Sequence, residues 1–293
     1  MGRIVRSISR DASVVCSAID GKDIVEEIRR IHQTSAVMTA AVGRLAMGAS
    51  LMGFGMKNEG DSVTVKLEGD GPAGMLVAVA DSFGNVKADV MVPTVELPEK
   101  APGKLDVAAA VGKNGTLTVI KDMGLKEPYS GQVPIVSGEI AEDITSYLAV
   151  SEQVPSVCAL GVLLEKDLSI RNAGGFLIQL LPFASDEVIT QIEQNIKSMQ
   201  SVTRLMEEGR TCEDISLMAL EGLEPNVLDD FEVGYRCTCS RERTERMLIS
   251  LGREQLSEIA ADGDTEVRCH FCGKSYRFTP EEITGLIEES SGK

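Results

Sequence analysis

Four cysteines in the last third of the chain have the types and spacing for metal chemistry. Cys237-x-Cys239 is followed, twenty-nine residues later, by Cys269-x-x-Cys272. Four thiolates at tetrahedral geometry satisfy Zn²⁺ completely and leave no position for water or substrate. The pattern therefore predicts a single structural zinc bound by Cys237, Cys239, Cys269 and Cys272, and argues against a hydrolytic centre. His270 lies inside the second pair but is not needed as a donor, and is expected on the surface of the knuckle. Arg236, Arg241, Arg243, Arg246, Arg268, Lys274 and Arg277 flank the cysteines in sequence. Cationic surroundings favour thiolate, and with it attack by peroxide-type oxidants. Either cysteine pair could close on itself, and a Cys-x-Cys disulfide makes a small strained ring of the labile, regulatory kind. From spacing alone two readings stand: a permanent zinc knuckle, or a metal site that oxidation opens.

The surrounding domain is small, about 55 to 60 residues, a size at which hydrophobic cores are marginal. Structural zinc contributes about 10–16 kcal/mol of apparent binding free energy, against about 5–15 kcal/mol of net stability for a whole domain. Metal removal is therefore expected to unfold it. The elements that hold the cysteines are read as helices at 240–251 and 254–261, and a hairpin at 267–278 whose tip is Cys269-His270-Phe271-Cys272-Gly273-Lys274. A last helix opens at Thr279-Pro280-Glu281-Glu282, with an N-cap Thr, Pro at N1 and Glu at N3.

The other three cysteines, Cys16, Cys158 and Cys212, stand in apolar or helical contexts and are expected as small hydrophobes in or near the core. The N-terminal MGRIVRSISRD carries three arginines before any apolar run, so no secretory segment is expected there. Cysteine usage without such a segment points to a reducing, cytoplasmic compartment and to metal or redox chemistry rather than a disulfide scaffold.

The part up to 183 reads as α+β. Val63, Val65 and Leu67 alternate with polar residues, followed by the turn Gly69–Pro72, an apolar run 75–80, another turn and a strand at 86–92. Short connections make this an antiparallel meander. Helices are expected at 22–32, 34–54 and 138–151, and further strands at 116–121, 157–164 and 175–181. The stretch 34–56 is apolar enough to raise the question of a membrane span. It is read as a buried helix of a soluble protein, because Arg44 at its centre would be costly in lipid.

Between 186 and 232 the character changes. Ile189, Ile192, Ile196, Met199, Val202, Leu205 and Met206 fall on one helical face, and a second helix is expected to start at Thr211. Twelve acidic and three basic residues place nine of the chain's sixteen net negative charges here. The segment is read as a helical acidic linker whose self-repulsion leaves it leaning on its neighbours for order. The expected organisation is thus an α+β core domain over 1–183, the linker over 184–232 and a four-cysteine zinc domain over 233–293. The net charge of −16 argues against nucleic-acid and anionic-membrane partners.

Six body segments, taken in this order with the cysteine motif, carry a resemblance. They are His32-Gln33-Thr34-Ser35, Gly69-Asp70-Gly71-Pro72, Gly103-Lys104-Leu105-Asp106-Val107, Thr116 to Asp122, Glu127 to Pro134, and Ser137 to Asp143. The chain resembles the heat-shock protein thirty-three family of bacterial redox-regulated holdase chaperones over nearly its whole length. That resemblance implies an ATP-independent holdase, inactive while reduced and zinc-bound. It further implies that oxidation pairs Cys237 with Cys239 and Cys269 with Cys272, releases zinc and unfolds the zinc domain and linker. The oxidised form then dimerises and holds unfolding client proteins during oxidative stress. Two competing functions were weighed: a thiol–disulfide oxidoreductase using Cys269-x-x-Cys272, and a constitutive zinc-ribbon interaction module. The first lacks a thioredoxin-like βαβ context, and the second, where nucleic acid is the partner, meets the acidic charge. Asn114-Gly115-Thr116 is read as a turn entering a strand rather than a glycosylation site, and no catalytic residues are assigned.

Overall fold

The chain begins with two strands that the sequence patterning did not flag, β1 (Gly2–Ile8) and β2 (Val14–Asp20). They lead into α1 (Lys22–His32), α2 (Ala36–Phe54) and the meander β3 (Ser62–Gly69), β4 (Met75–Asp81) and β5 (Val86–Val90). Next come α3 (Val107–Val111), β6 (Gly115–Asp122), β7 (Tyr129–Pro134), α4 (Ala141–Val150) and the long pair β8 (Ser156–Leu164) and β9 (Ile170–Leu180). The acidic stretch forms α5 (Asp186–Ser198), α6 (Val202–Glu207), α7 (Cys212–Ala219) and β10 (Asn226–Val233). α8 (Arg241–Ser250), α9 (Arg253–Ala261), β11 (Thr265–Arg268), β12 (Ser275–Phe278) and α10 (Pro280–Ser290) follow. This computed structural model describes residues 1–290. By packing, the chain divides into a unit Met1–Arg236 and a second that begins at Cys237.

The α+β reading holds. The larger unit has two antiparallel five-stranded sheets, ordered β10-β1-β2-β9-β8 and β5-β4-β3-β6-β7. Val63, Val65 and Leu67 are fully buried on β3, as period-two alternation requires. β9 begins at Ile170, earlier than its apolar run suggests, because Ile170 to Ala173 still pair with β8. β7, exposed over most of its length, carries too little apolar alternation to be read from sequence.

α2 lies between the sheets, touching β4, β5 and β3 on one side and β8 and β9 on the other. All its residues except Ala36 and Arg44 are buried. A helix apolar all round is what a position inside two layers demands. Small residues let neighbours close on it: a Cβ on Gly48 would lie 2.3 Å from Ile144 Cδ1, and one on Gly53 2.5 Å from the Asp81 carbonyl oxygen. The helix is long and apolar enough to cross a membrane by length and composition, but it is spent as core. Arg44, only 16% exposed, is tied through Nη1 to Glu139 Oε2 at 2.8 Å, and Lys100 Nζ reaches the other oxygen at 2.9 Å.

The acidic stretch packs against the outer face of the first sheet. Val188, Ile192, Val202, Leu205, Cys212, Ile215 and Ala219 meet Val5, Val14, Cys16, Ala18, Phe176 and Ile178 in a second apolar cluster. The expected stripe is split, since α5 ends at Ser198 and α6 starts at Val202. Asn195 sits buried within it, its amide donating to the carbonyls of Ala219 and Glu221. Thr211 caps α7 reciprocally with Asp214, as read. The last part of the stretch is not helical: β10 pairs with β1, placing Arg6 opposite Asp229. Arginines of the first ten residues take up its carboxylates. Arg3 forks Asp230 at 2.7 Å through Nε and Nη2 and reaches Glu213 at 3.0 Å. Arg6 binds Asp229 at 2.6 Å, and Arg10 binds Glu224 at 2.6 Å. Exposed pairs of this kind contribute at most about 1 kcal/mol each and are screened by salt.

In the second unit Leu248, Leu256, Tyr276, Phe278, Ile283 and Leu286 form a core of their own. Both expected helices, the hairpin and the final helix are present, with Glu282 and Thr279 bonded reciprocally across the last N-terminus.

Replacing Glu139 with Ala removes the carboxylate that neutralises Arg44 in a largely dry position. It is expected to lower stability in urea unfolding by about 3 kcal/mol, because a buried charge is left uncompensated. The double change Arg44→Met with Glu139→Leu is expected to recover most of that loss.

Candidate metal centre

Two short backbone devices bring the four cysteines together. Cys237 and Cys239 lie on the approach to α8, where Ser240 Oγ accepts from the Arg243 amide at 3.2 Å. Cys269 and Cys272 lie in the tight turn between β11 and β12. Within it the Gly273 amide donates to the Cys269 carbonyl at 2.8 Å, and the Cys269 amide to the Lys274 carbonyl at 2.9 Å. Gly273 has φ +72°, a left-handed conformation that glycine adopts without cost. The four Sγ atoms all lie within 4.8 Å of one another, and each cysteine is half-buried. Cys237 and Cys269 sulfurs are 3.7 Å apart, and those of Cys239 and Cys272 3.3 Å.

Four sulfurs this close cannot all ionise without a cation among them, and the thiol acidities divide accordingly. Burial, together with hydrogen bonds to the other sulfurs, pushes Cys237 up to about 12. Burial also raises Cys272. Burial acts on Cys239 in the same direction, but hydrogen bonds from the Tyr276 hydroxyl and the neighbouring thiols outweigh it and lower Cys239 to about 7. A cation bound among them would favour the thiolate of every one. The donor set therefore fits a soft, tetrahedral metal ion.

Tyr276, which the sequence reading passed over, donates its hydroxyl to Cys239 Sγ at 3.2 Å. The signal for it was present. On β12 the residues alternate, so Tyr276 and Phe278 point inward, and a buried tyrosine hydroxyl must find a partner. The flanking cations are engaged elsewhere. Arg241 stacks over Phe278 at 4.4 Å and binds Glu282 and Glu245, Arg277 binds Glu266, and Arg243 binds the Thr238 carbonyl and hydroxyl. Lys274 sits 5.1 Å over the Tyr276 ring. Burial comes first among the causes that shift these thiols, with hydrogen bonds next. His270 is exposed, as expected. Cys16, Cys158 and Cys212 stand apart from the cluster, with burial pushing their thiols up.

Fold and site together define a class: an α+β protein with a large two-sheet body and a small C-terminal unit built around four clustered cysteines that could hold a metal. Comparison with known proteins narrows this. The family described as Hsp33 protein matches residues 2–279. The chain is 46% identical over 287 residues to the 33 kDa chaperonin of Clostridioides difficile, covering 98% of each chain. It is 47% identical over 281 residues to the 33 kDa chaperonin of Agathobacter rectalis, covering 96% of this chain and 97% of that one. The crystal structure of the 33 kDa chaperonin (heat shock protein 33 homolog) from Thermotoga maritima superposes with a TM-score of 0.89 at 36% identity, covering 99% of both chains. The chain belongs to the Hsp33 family of chaperones.

Tyr276→Phe removes the donor that stabilises the Cys239 thiolate. In the metal-free protein the Cys239 acidity is then expected to move up from about 7. Alkylation by iodoacetamide should slow near neutral pH and converge with wild type well above it. An unchanged pH profile would show that the hydroxyl does not tune this sulfur.

Proposed function

We propose that this protein is a redox-regulated, ATP-independent holdase that acts without catalysis. Its resting form holds about one Zn²⁺ per chain on Cys237, Cys239, Cys269 and Cys272. The observation that carries the reading is the convergence of four sulfurs within 4.8 Å in a unit whose buried apolar core, among the described residues, is six side chains. So small a core leaves the metal to decide whether the unit is folded.

Oxidation by peroxide would form a sulfur–sulfur bond from each pair of thiolates while the oxygen–oxygen bond of peroxide breaks and its oxygens leave as water. The pairing of sequence neighbours, Cys237 with Cys239 and Cys269 with Cys272, follows from the family resemblance, and the mutual proximity of all four sulfurs permits it. Disulfide sulfur is a far poorer ligand than thiolate, so zinc leaves and the unit loses its latch. Loss of order would then spread through the acidic segment 184–232, which is held to the body by ion pairs, by an apolar face and by the pairing of β10 with β1. Apolar surface uncovered in this way would hold unfolding proteins. In this reading 1–183 is the chaperone core, 184–232 the releasable linker and 233–293 the switch. The active form is a homodimer, the compartment is the reducing cytoplasm, and neither nucleic acid nor membrane is a partner.

Treating the reduced protein with peroxide under mild heat is expected to release about one zinc per chain, measured with a chromogenic chelator. The same treatment should remove four free thiols and start suppression of light scattering by a thermally aggregating enzyme. Oxidised protein that has lost its zinc and still leaves aggregation untouched would sink the proposal. Chelation of the reduced protein should by itself abolish the circular dichroism contributed by α8, α9 and α10.

A further inference from the structure

The first sheet leaves β8 at its edge, and that edge lacks the protection the other sheet edges carry. β10 bears Asp229, Asp230 and Glu232; β7 ends in Pro134. β5 carries Lys87 and Asp89, and the Gly234–Arg236 backbone pairs with it at Val86. Charge, proline and covering backbone are how proteins keep edge strands from recruiting further strands. β8 reads Ser-Val-Cys-Ala-Leu-Gly-Val-Leu-Leu, without a charge or a proline over its whole length.

Its side chains are already used. Cys158, Leu160, Val162 and Leu164 pack toward the central core, and Val157 and Ala159 toward the cluster under α5–α7. What stays open is backbone. The Cys158 amide points away from β9 and is satisfied by Thr145 Oγ1 of α4 at 3.1 Å. Antiparallel alternation then turns the amides and carbonyls of Leu160 and Val162 the same way, and among the described residues none is bonded on that side. A groove of about 1140 Å³ runs along this edge. It is lined by Cys158–Leu164, by the Ala36, Ala40 and Arg44 stripe of α2, by Lys100 opposite, and by Ser201–Thr203 at the start of α6.

We propose that this groove seats an extended, uncharged, apolar segment of an unfolded polypeptide, added as a further strand on β8 through the backbone of Leu160 and Val162. The inference rests on the holdase reading above and gives it a site and a mode of binding. Charge selects the occupant. The edge is uncharged, and the groove's five cations and four carboxylates nearly cancel, in a chain of net charge −16. The edge strand carries no charge, so an exposed apolar strand of an unfolded protein meets no unpaired charge along it. Main-chain bonding makes the capture indifferent to sequence, as holding varied clients requires. α6 forms one lip: it sits so close that a Cβ on Gly161 would lie 2.7 Å from Thr203 Cγ2. Departure of the acidic segment would widen the groove while β9 and α2 keep β8 in place.

The test uses the full chain, oxidised, with a fluorescent synthetic peptide of alternating valine and threonine as probe. Val162→Pro removes one outward donor and puts a ring on the open edge, a substitution that edge strands tolerate on the side facing away from the ladder. It is expected to bind the peptide about tenfold more weakly and to lose aggregation suppression in step, with zinc release on oxidation unchanged. Peptide binding equal to wild type overturns the inference and leaves the holdase reading intact. Loss of dimerisation with peptide binding retained also overturns it, making the edge an interface between copies. Should that variant fail to fold, amide exchange on oxidised wild type decides. Slowing at Leu160 and Val162 on adding peptide, but not along β7 or β10, supports strand addition, and unchanged exchange there refutes it. Wild type that suppresses no aggregation removes both proposals together.

Discussion

Mutual repulsion among four sulfurs is the constraint on which the small unit depends. Held within 4.8 Å, they cannot all carry charge unless a cation lies among them, and while they remain protonated they bind no metal. On the proposed reading, protonation, metal binding and folding are one equilibrium. Cys239 is drawn toward thiolate by its surroundings, among them the Tyr276 hydroxyl, which hangs from the same strand as the core residue Phe278. The site and the core of the unit share a wall, so disturbing either is felt by the other.

The larger unit is organised on the opposite principle. Its centre is a dry helix packed from two sides, and its one internal cation, Arg44, is held by a carboxylate at 2.8 Å. Its three cysteines are inert by comparison, since burial pushes the Cys16, Cys158 and Cys212 thiols up. Between these extremes lies the acidic segment. It has an apolar face, a buried asparagine that ties α5 to the end of α7, and exposed ion pairs to the first ten residues of the chain. The β10–β1 ladder holds it as well, and the proposed switch requires that all of these contacts give way together.

An uncharged edge strand is ordinarily a hazard, and the contrast with the defended edges of β10 and β5 makes β8 conspicuous. A chaperone is a setting in which such an edge has a use, provided that a folded segment crowds it until needed. α6 packs over the outer face of β8 and β9 and lines the groove beside that edge in the form described here.

The amino-acid sequence alone singled out the four cysteines that the structure gathers within 4.8 Å, because residue types and spacing survive any rearrangement of the rest. It also determined most elements with strong period: α1, the β3–β5 meander, the caps at Thr211 and Thr279, and the burial of α2, which composition and a lone arginine already implied. β1, β2 and β10 escaped it. Their partners are distant in the chain, and β10 pairs through charges whose sequence pattern looks like a solvated linker. Only the tertiary structure decided that Glu213, Glu224, Asp229 and Asp230 of that stretch meet arginines from the opposite end of the chain. It alone turned the Tyr276 hydroxyl onto a sulfur and left β8 without an outer neighbour. Each of these is a relation between segments far apart in sequence, and periodicity is a local quantity that carries no information about such pairings.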